Sequence, residues 1–124
     1  YNIEDDSLYL NSSRGYSRIN IVKPEITAPG VDILAPTPDG DFISISGTSP
    51  AAAHAVGIAA MLLEWAVVRG NYRNMNTLDM KVFMIRGAKR NPALRYPNKD
   101  WGYGILDVYN VFDILRAEIN TGPT

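Results

Sequence analysis

The chain has 124 residues, 46% of them hydrophobic, and a formal net charge of -1, which suits one compact domain or a piece of one. A balance so close to neutral supplies no basic field for nucleic acid or an acidic membrane surface. The sequence contains no cysteine, which excludes disulfides, thiolate metal sites and cysteine nucleophiles and leaves the compartment open.

The opening Tyr1-Asn2-Ile3-Glu4-Asp5-Asp6 has neither the basic nor the apolar region of a signal peptide. It also lacks an initiator methionine, so the chain is expected to be cut from something longer. Residues 1–20 are polar apart from Leu8-Tyr9-Leu10, and Asn11-Ser12-Ser13-Arg14-Gly15 has a turn composition. Asn11-Ser12-Ser13 also fits a glycosylation sequon, a pattern too short to carry weight. Lys23-Pro24 opens an extended piece, because the residue before a proline is pushed out of the helical region. A brief strand over Ile26–Ala28 is expected, closed by Pro29-Gly30, and a second over Val31–Leu34. The prolines and Asp39-Gly40 in 36–41 mark a turn. The alternation of Phe42-Ile43-Ser44-Ile45-Ser46 predicts a strand with one buried face, and the strands on either side of Asp39-Gly40 should pair as a hairpin.

A long helix is expected from Pro50 to about Arg69, stopped at Gly70-Asn71 with a basic residue in its last turn. Pro50 to Val68 is nearly long enough to cross a bilayer. Its His54, its Glu64 and its alanine content favour a helix buried on most sides in a globular protein instead, and no membrane span is expected. Leu78–Arg86 reads as a second helix ended by Gly87. A proline-containing loop covers Asn91–Asp100, a Gly-bounded strand or turn covers Tyr103–Val108, and a closing amphipathic helix runs from Tyr109 to Ile119.

Chemistry concentrates at the start of the long helix. Thr48 and Ser49 are good N-cap residues, and Pro50 suits the first helical position, where an N–H is not needed. Ser49 should therefore lie where free backbone N–H groups and the positive end of the helix dipole favour negative charge. A hydroxyl there can attack a carbonyl while its own N–H holds the developing oxyanion. On local chemistry alone a plain helix cap explains Ser49 better. Other motifs fail on their spacing. Ala51 stands where a nucleophile elbow needs glycine, and Thr48 stands where a P-loop needs lysine. His54, the only histidine, has no second histidine or cysteine with which to hold zinc.

Gly47-Thr48-Ser49, followed by Ala51-Ala52, His54 and Gly57, resembles the serine motif of the subtilisin-like serine proteases, usually Gly-Thr-Ser-Met-Ala-x-Pro-His-Val-Ala-Gly. Ser12-Ser13-Arg14-Gly15 and Lys23-Pro24-Glu25-Ile26-Thr27-Ala28-Pro29-Gly30-Val31-Asp32-Ile33 resemble the segment that precedes it. Trp101-Gly102-Tyr103-Gly104-Ile105-Leu106-Asp107-Val108 resembles the family's closing segment. These pieces occur in order over nearly the whole chain, and the alanine-rich variant looks most like the clostridial, germination-type members. Two departures stand out: Pro50 in place of methionine, which should alter the leaving-group side of the cleft and remove an oxidisable thioether, and Ala53 in place of proline.

The resemblance implies an α/β fold, a mainly parallel sheet flanked by helices, of which residues 1–124 would form the carboxy-terminal portion, incomplete alone. It implies a serine endopeptidase acting on protein or peptide substrates, with Ser49 as nucleophile and its N–H as oxyanion donor. Thr48 would assist the oxyanion and Pro50 would line the substrate side. The family's triad runs Asp, His, Ser along the chain, and no histidine precedes Ser49. The base, its orienting acid and the oxyanion asparagine are thus expected in a missing upstream segment, with the isolated chain inactive. The competing reading is a pseudoprotease that keeps the serine as part of a regulatory or binding module. His54 is expected to be a packed core histidine with a polar partner, and Asp5, Asp6, Asp32, Asp39 and Asp41 to be surface or turn residues. Arg14 should tie a loop, and Trp101 and Tyr103 should pack near the closing turn. No metal or cofactor is expected in this segment, since the family's calcium sites fall mostly outside it. The partner expected is the missing half, or, in its absence, a second copy. A secreted or spore-associated bacterial location follows from the resemblance only.

Overall fold

A computed structural model describes residues 1–15 and 22–121; the polar stretch read over residues 1–20 therefore extends partly outside the described residues. Two strands and three helices follow one another along the chain. Strand β1, Ile33–Pro36, pairs antiparallel with β2, Phe42–Ile45, with Ile33 opposite Ile45 and Ala35 opposite Ile43. This is the expected hairpin, with its first strand two residues later than the sequence reading set it. Thr37 N–H donates to Asp41 O at 2.8 Å, and Asp39 accepts from the Thr37 hydroxyl and from Asp41 N–H, an Asx-type closure of the turn.

Helix α1, Thr48–Leu63, continues without a break into a π-turn over Glu64–Val68. The sequence reading foresaw one α-helix to Arg69. Instead Arg69 N–H reaches Glu64 O at 3.0 Å, five residues back, and the Arg69 guanidinium pairs with the Glu64 carboxylate at 2.8 Å. Gly70, at φ 77°, ends the run as expected, and Asn71 Nδ2 caps Trp65 O at 2.9 Å. Helix α2, Thr77–Arg86, begins in a capping box that the sequence reading did not identify. Asn76 Oδ1 accepts from Asp79 N–H at 2.8 Å and Asp79 Oδ2 accepts from Asn76 N–H at 3.3 Å, which satisfies two orphan donors of the first turn. Helix α3 spans Val108–Thr121.

These helices share a core of Leu62, Ala66, Met75, Phe83, Val111 and Leu115. Trp65 meets Phe112 edge-on at 5.7 Å, and Tyr72 meets Phe83 edge-on at 6.1 Å, the arrangement that ring quadrupoles favour. The end of α2 comes close enough to α3 that a side chain at Gly87 would lie 2.5 Å from Val111 Cγ2. Asn110 Nδ2 donates to Gly87 O there at 2.9 Å.

The segments expected as a strand over Ile26–Ala28 and as a strand or turn over Tyr103–Val108 meet at one parallel bridge, Thr27 with Ile105. Ile105 also bridges Lys89 on its other side. Thr27 N–H donates to Gly104 O, Leu106 N–H to Thr27 O, and Ile105 and Lys89 exchange two bonds of 2.9 and 2.7 Å. Arg14 pairs with Asp100 at 3.0 Å, and Trp101 packs against Tyr1 with ring centres 6.1 Å apart. Helices, a small sheet and residual parallel pairing make this an incomplete α/β domain. Its gap falls at α1. The helix expected to be buried on most sides has only Pro50 and Leu62 buried, and the residues from Ala52 to Ala60 are exposed or half-buried. By length and composition alone, Thr48–Val68 would suffice to cross a membrane.

Candidate functional site

The seam between β2 and α1 is built on glycine. Gly47 is the N-cap of α1 at φ 148° and ψ -178°, a conformation that a residue with a Cβ adopts only under strain. No side chain caps the helix, so neither Thr48 nor Ser49 has the capping role that local chemistry suggested. Both are already helical, and Pro50 is third in the helix rather than first. That position still tolerates proline, because the first turn has no intrahelical use for the N–H.

Four positions, Gly47 to Pro50, open this terminus without an intrahelical acceptor for an N–H. Gly47 N–H is taken by Gly30 O at 2.7 Å, and Pro50 has none. Thr48 and Ser49 are left, and their N–H groups have no intrahelical acceptor. Both residues are exposed. Among the described residues, neither hydroxyl has a hydrogen-bond partner. The helix thus ends in two free N–H donors and two free hydroxyls on adjacent residues, in a dipole field that favours negative charge. The chemistry open to such a site is nucleophilic attack by a hydroxyl with main-chain stabilisation of the resulting oxyanion.

The loop preceding β1 closes on this seam from behind. Besides the bond from Gly47, Asp32 N–H donates to Ser46 Oγ at 2.9 Å. Gly30 N–H reaches Tyr1 O at 3.0 Å. On one flank of α1 an apolar cavity of about 300 Å³ is lined by Tyr1, Tyr9, Ile26, Thr48 and Ala52 among others. On the other, an open groove of about 490 Å³ separates α1 from the hairpin, with Ile33, Ile45, Ala53 and Met61 along it.

His54 is exposed, which corrects the expectation of a core histidine. Its polar partner is a neighbour on the same helix, since Nδ1 lies 3.1 Å from Pro50 O. A carbonyl only accepts, so Nδ1 carries the proton. His54 follows Ser49 by five residues, about 140° around the helix axis and about 7.5 Å along it, so its imidazole turns away from the serine. The aspartates lie in local turns or on the surface. Asp5 and Asp39 are held below the usual carboxylate range by hydrogen bonds from Ser7 and Thr37 respectively. Among the described residues, no three His, Asp or Glu side chains converge as a metal site would require. Sequence reasoning singles out Ser49 and Thr48 but gives Gly30 and Gly47 no role of their own; the only signal for them is Pro29-Gly30 ahead of the strand and the glycine before the Thr-Ser pair.

Residues 3–104 match the model of the subtilase family. Pyrolysin of Pyrococcus furiosus is 33% identical over 115 residues, which covers 86% of the chain and 8% of that protein. A subtilisin of a Bacillus species is 40% identical over 89 residues, 67% of the chain and 20% of that protein. Among solved structures, the CspB protease of Clostridium perfringens superposes with a TM-score of 0.88 at 36% identity, over 94% of the chain and 25% of that structure's chain. The chain therefore spans a quarter or less of the length of each of these relatives.

Proposed function

The chain belongs to the subtilase family, and from that premise we propose that it is the serine-bearing portion of a subtilisin-type serine endopeptidase, with Ser49 as its nucleophile. The observation that carries this is the N–H accounting at the seam. Gly47 N–H is spent on Gly30 O and Pro50 has no N–H, so only the donors of Thr48 and Ser49 are free, beside the exposed and unpartnered Ser49 hydroxyl.

In this reading Ser49 Oγ attacks the carbonyl carbon of a peptide bond and its proton passes to a base. The carbonyl oxygen, now negative, is held by Ser49 N–H with help from Thr48. Collapse expels the amine, which takes that proton back from the base, and leaves an acyl ester on Ser49, which water then hydrolyses. Pro50 lies on the leaving-group side, and its ring adds no donor that could compete for the oxyanion. Acyl transfer of this kind needs no cofactor. The base cannot be His54, for the geometric reason above. We assign the base, its acid and a further oxyanion donor to a segment of the same peptidase domain outside residues 1–124, which would also cover the bare flank of α1. Protein or peptide substrates, and a secreted or spore-associated setting, belong to the same reading; the setting rests on the likeness to the clostridial protease only.

A fluorophosphonate probe tests it. The intact protease should be labelled at Ser49, and Ser49→Ala should abolish both labelling and peptide cleavage. The isolated 124 residues should label at least about 100-fold more slowly, since general-base assistance contributes on the order of 10²–10⁴. Equal labelling of the isolated chain would refute the assignment of the base elsewhere. An intact protein that neither labels nor cleaves would be a pseudoprotease.

A further inference from the structure

We propose that Gly30 is a positioning residue for Ser49, acting through Gly47 and never touching the substrate. The inference rests on Ser49 being the nucleophile and goes further by naming what aims it. Gly47 must be glycine because of its backbone conformation; a Cβ on it would meet no atom closer than 3.8 Å. Gly30 must be glycine because of space. A Cβ on Gly30 would lie 2.4 Å from Gly47 O and 3.1 Å from Ala51 Cβ, closer than packed carbon tolerates. Gly30 is buried, and its loop is fixed from the far side, because Gly30 N–H donates to Tyr1 O and Tyr1 N donates to Ala28 O, each at 3.0 Å. The loop cannot retreat, so the strain of an added methyl falls on Gly47 and the first turn of α1.

Two consequences follow at the seam. Gly30 O holds Gly47 N–H at 2.7 Å, which consumes the one orphan donor that would otherwise compete with those of Thr48 and Ser49. The atom that an added Cβ would push, Gly47 O, is the N-cap carbonyl that accepts the first hydrogen bond of the helix. Moving it tilts the peptide planes of Thr48 and Ser49 and with them the free N–H groups and the hydroxyl. A misplacement of about 1 Å costs on the order of 100-fold in a positioned reaction.

The test is Gly30→Ala in the intact protease, with active sites counted by titration. On a chromogenic peptide, kcat per titrated site should fall on the order of 100-fold while KM stays within about twofold. Affinity for a peptide boronic acid, which imitates the tetrahedral oxyanion, should fall by the same factor as kcat/KM. A residue that merely supports the fold would lower the number of active sites and leave kcat per site and boronate affinity unchanged, and that result would overturn the proposal. If Gly30→Ala does not fold, Ala51→Val presses on the same contact from the helix side and is read in the same way. Ser49→Ala separates the two readings, since cleavage in it at the unsubstituted rate would refute the nucleophile whatever Gly30→Ala does.

Discussion

Leu62 and Val56 lie six residues apart on α1, yet Leu62 is wholly buried and Val56 is 68% exposed. The difference divides the molecule. The last turn of α1, the π-turn, α2 and α3 enclose a core with Met75, Phe83, Val111 and Leu115. The first three turns of α1 and the hairpin enclose almost nothing, and Leu34, Phe42, Ile43 and Val56 stand largely in solvent. The serine end is held by main-chain bonds and by Gly30 packed on Gly47. The far end is held by apolar burial. Cohesion and the proposed chemistry thus occupy opposite ends of one helix.

The largest effect should separate the two ends directly. Leu62→Ala should cost about 2–5 kcal/mol, the range for emptying a packed site, whereas Val56→Ala should change stability by no more than about 0.5 kcal/mol. Urea denaturation of both variants of this chain checks it, and equal losses would break the division. In the intact protease, a marked loss for Val56→Ala would instead show that the bare flank is covered there. Next in size, Asn76→Ala removes half of the capping box on α2 and should cost about 1 kcal/mol, readable as a lower denaturation midpoint, with fluorophosphonate labelling of the intact protease unchanged. An effect on labelling would mean that the two ends communicate.

The smallest effect concerns the link between them. Glu25 follows the loop at Lys23-Pro24 and pairs with both Lys23 and Lys81, the latter on α2. Hydrogen bonds from Lys23 and then Lys81 hold its carboxyl below the usual glutamate range. A depressed folded value means that the pairing stabilises above the unfolded-state pKa and is lost as pH falls through the folded one. Both lysines are exposed, so the contribution is about 0.2–1 kcal/mol. Stability measured against pH should show this increment vanish on acidification in the native chain and be absent in Glu25→Gln. No difference between the two curves would remove this tie from the account.

Much of this was legible in the sequence because it depends on neighbours along the chain. The hairpin follows from alternation around Asp39-Gly40, the helix stop from Gly70, and the seam from a Gly-Thr-Ser ahead of a proline. Thr48 and Ser49 have the right side chains for capping; what excludes them is the φ of Gly47, which lets the backbone turn into the helix two residues earlier. The π-turn was invisible, since nothing in the spacing of Glu64–Val68 sets it apart from ordinary helix; there Ala66 enters the core and Trp65 meets Phe112 of α3. His54 was misplaced for a related reason. An alanine-rich helix reads as buried on all sides, and burial is a property of what surrounds a helix.

The sequence by itself determined the order of the elements, the serine at a strand-to-helix seam and the absence of any second histidine, because composition and short-range spacing fix all three. Only the tertiary structure decided which orphan N–H groups stay free and which flank of α1 is bare. Both depend on residues far apart in the chain, Gly30 against Gly47 and Leu62 within the core it shares with α2 and α3, where distances of a few tenths of an ångström decide whether an atom fits.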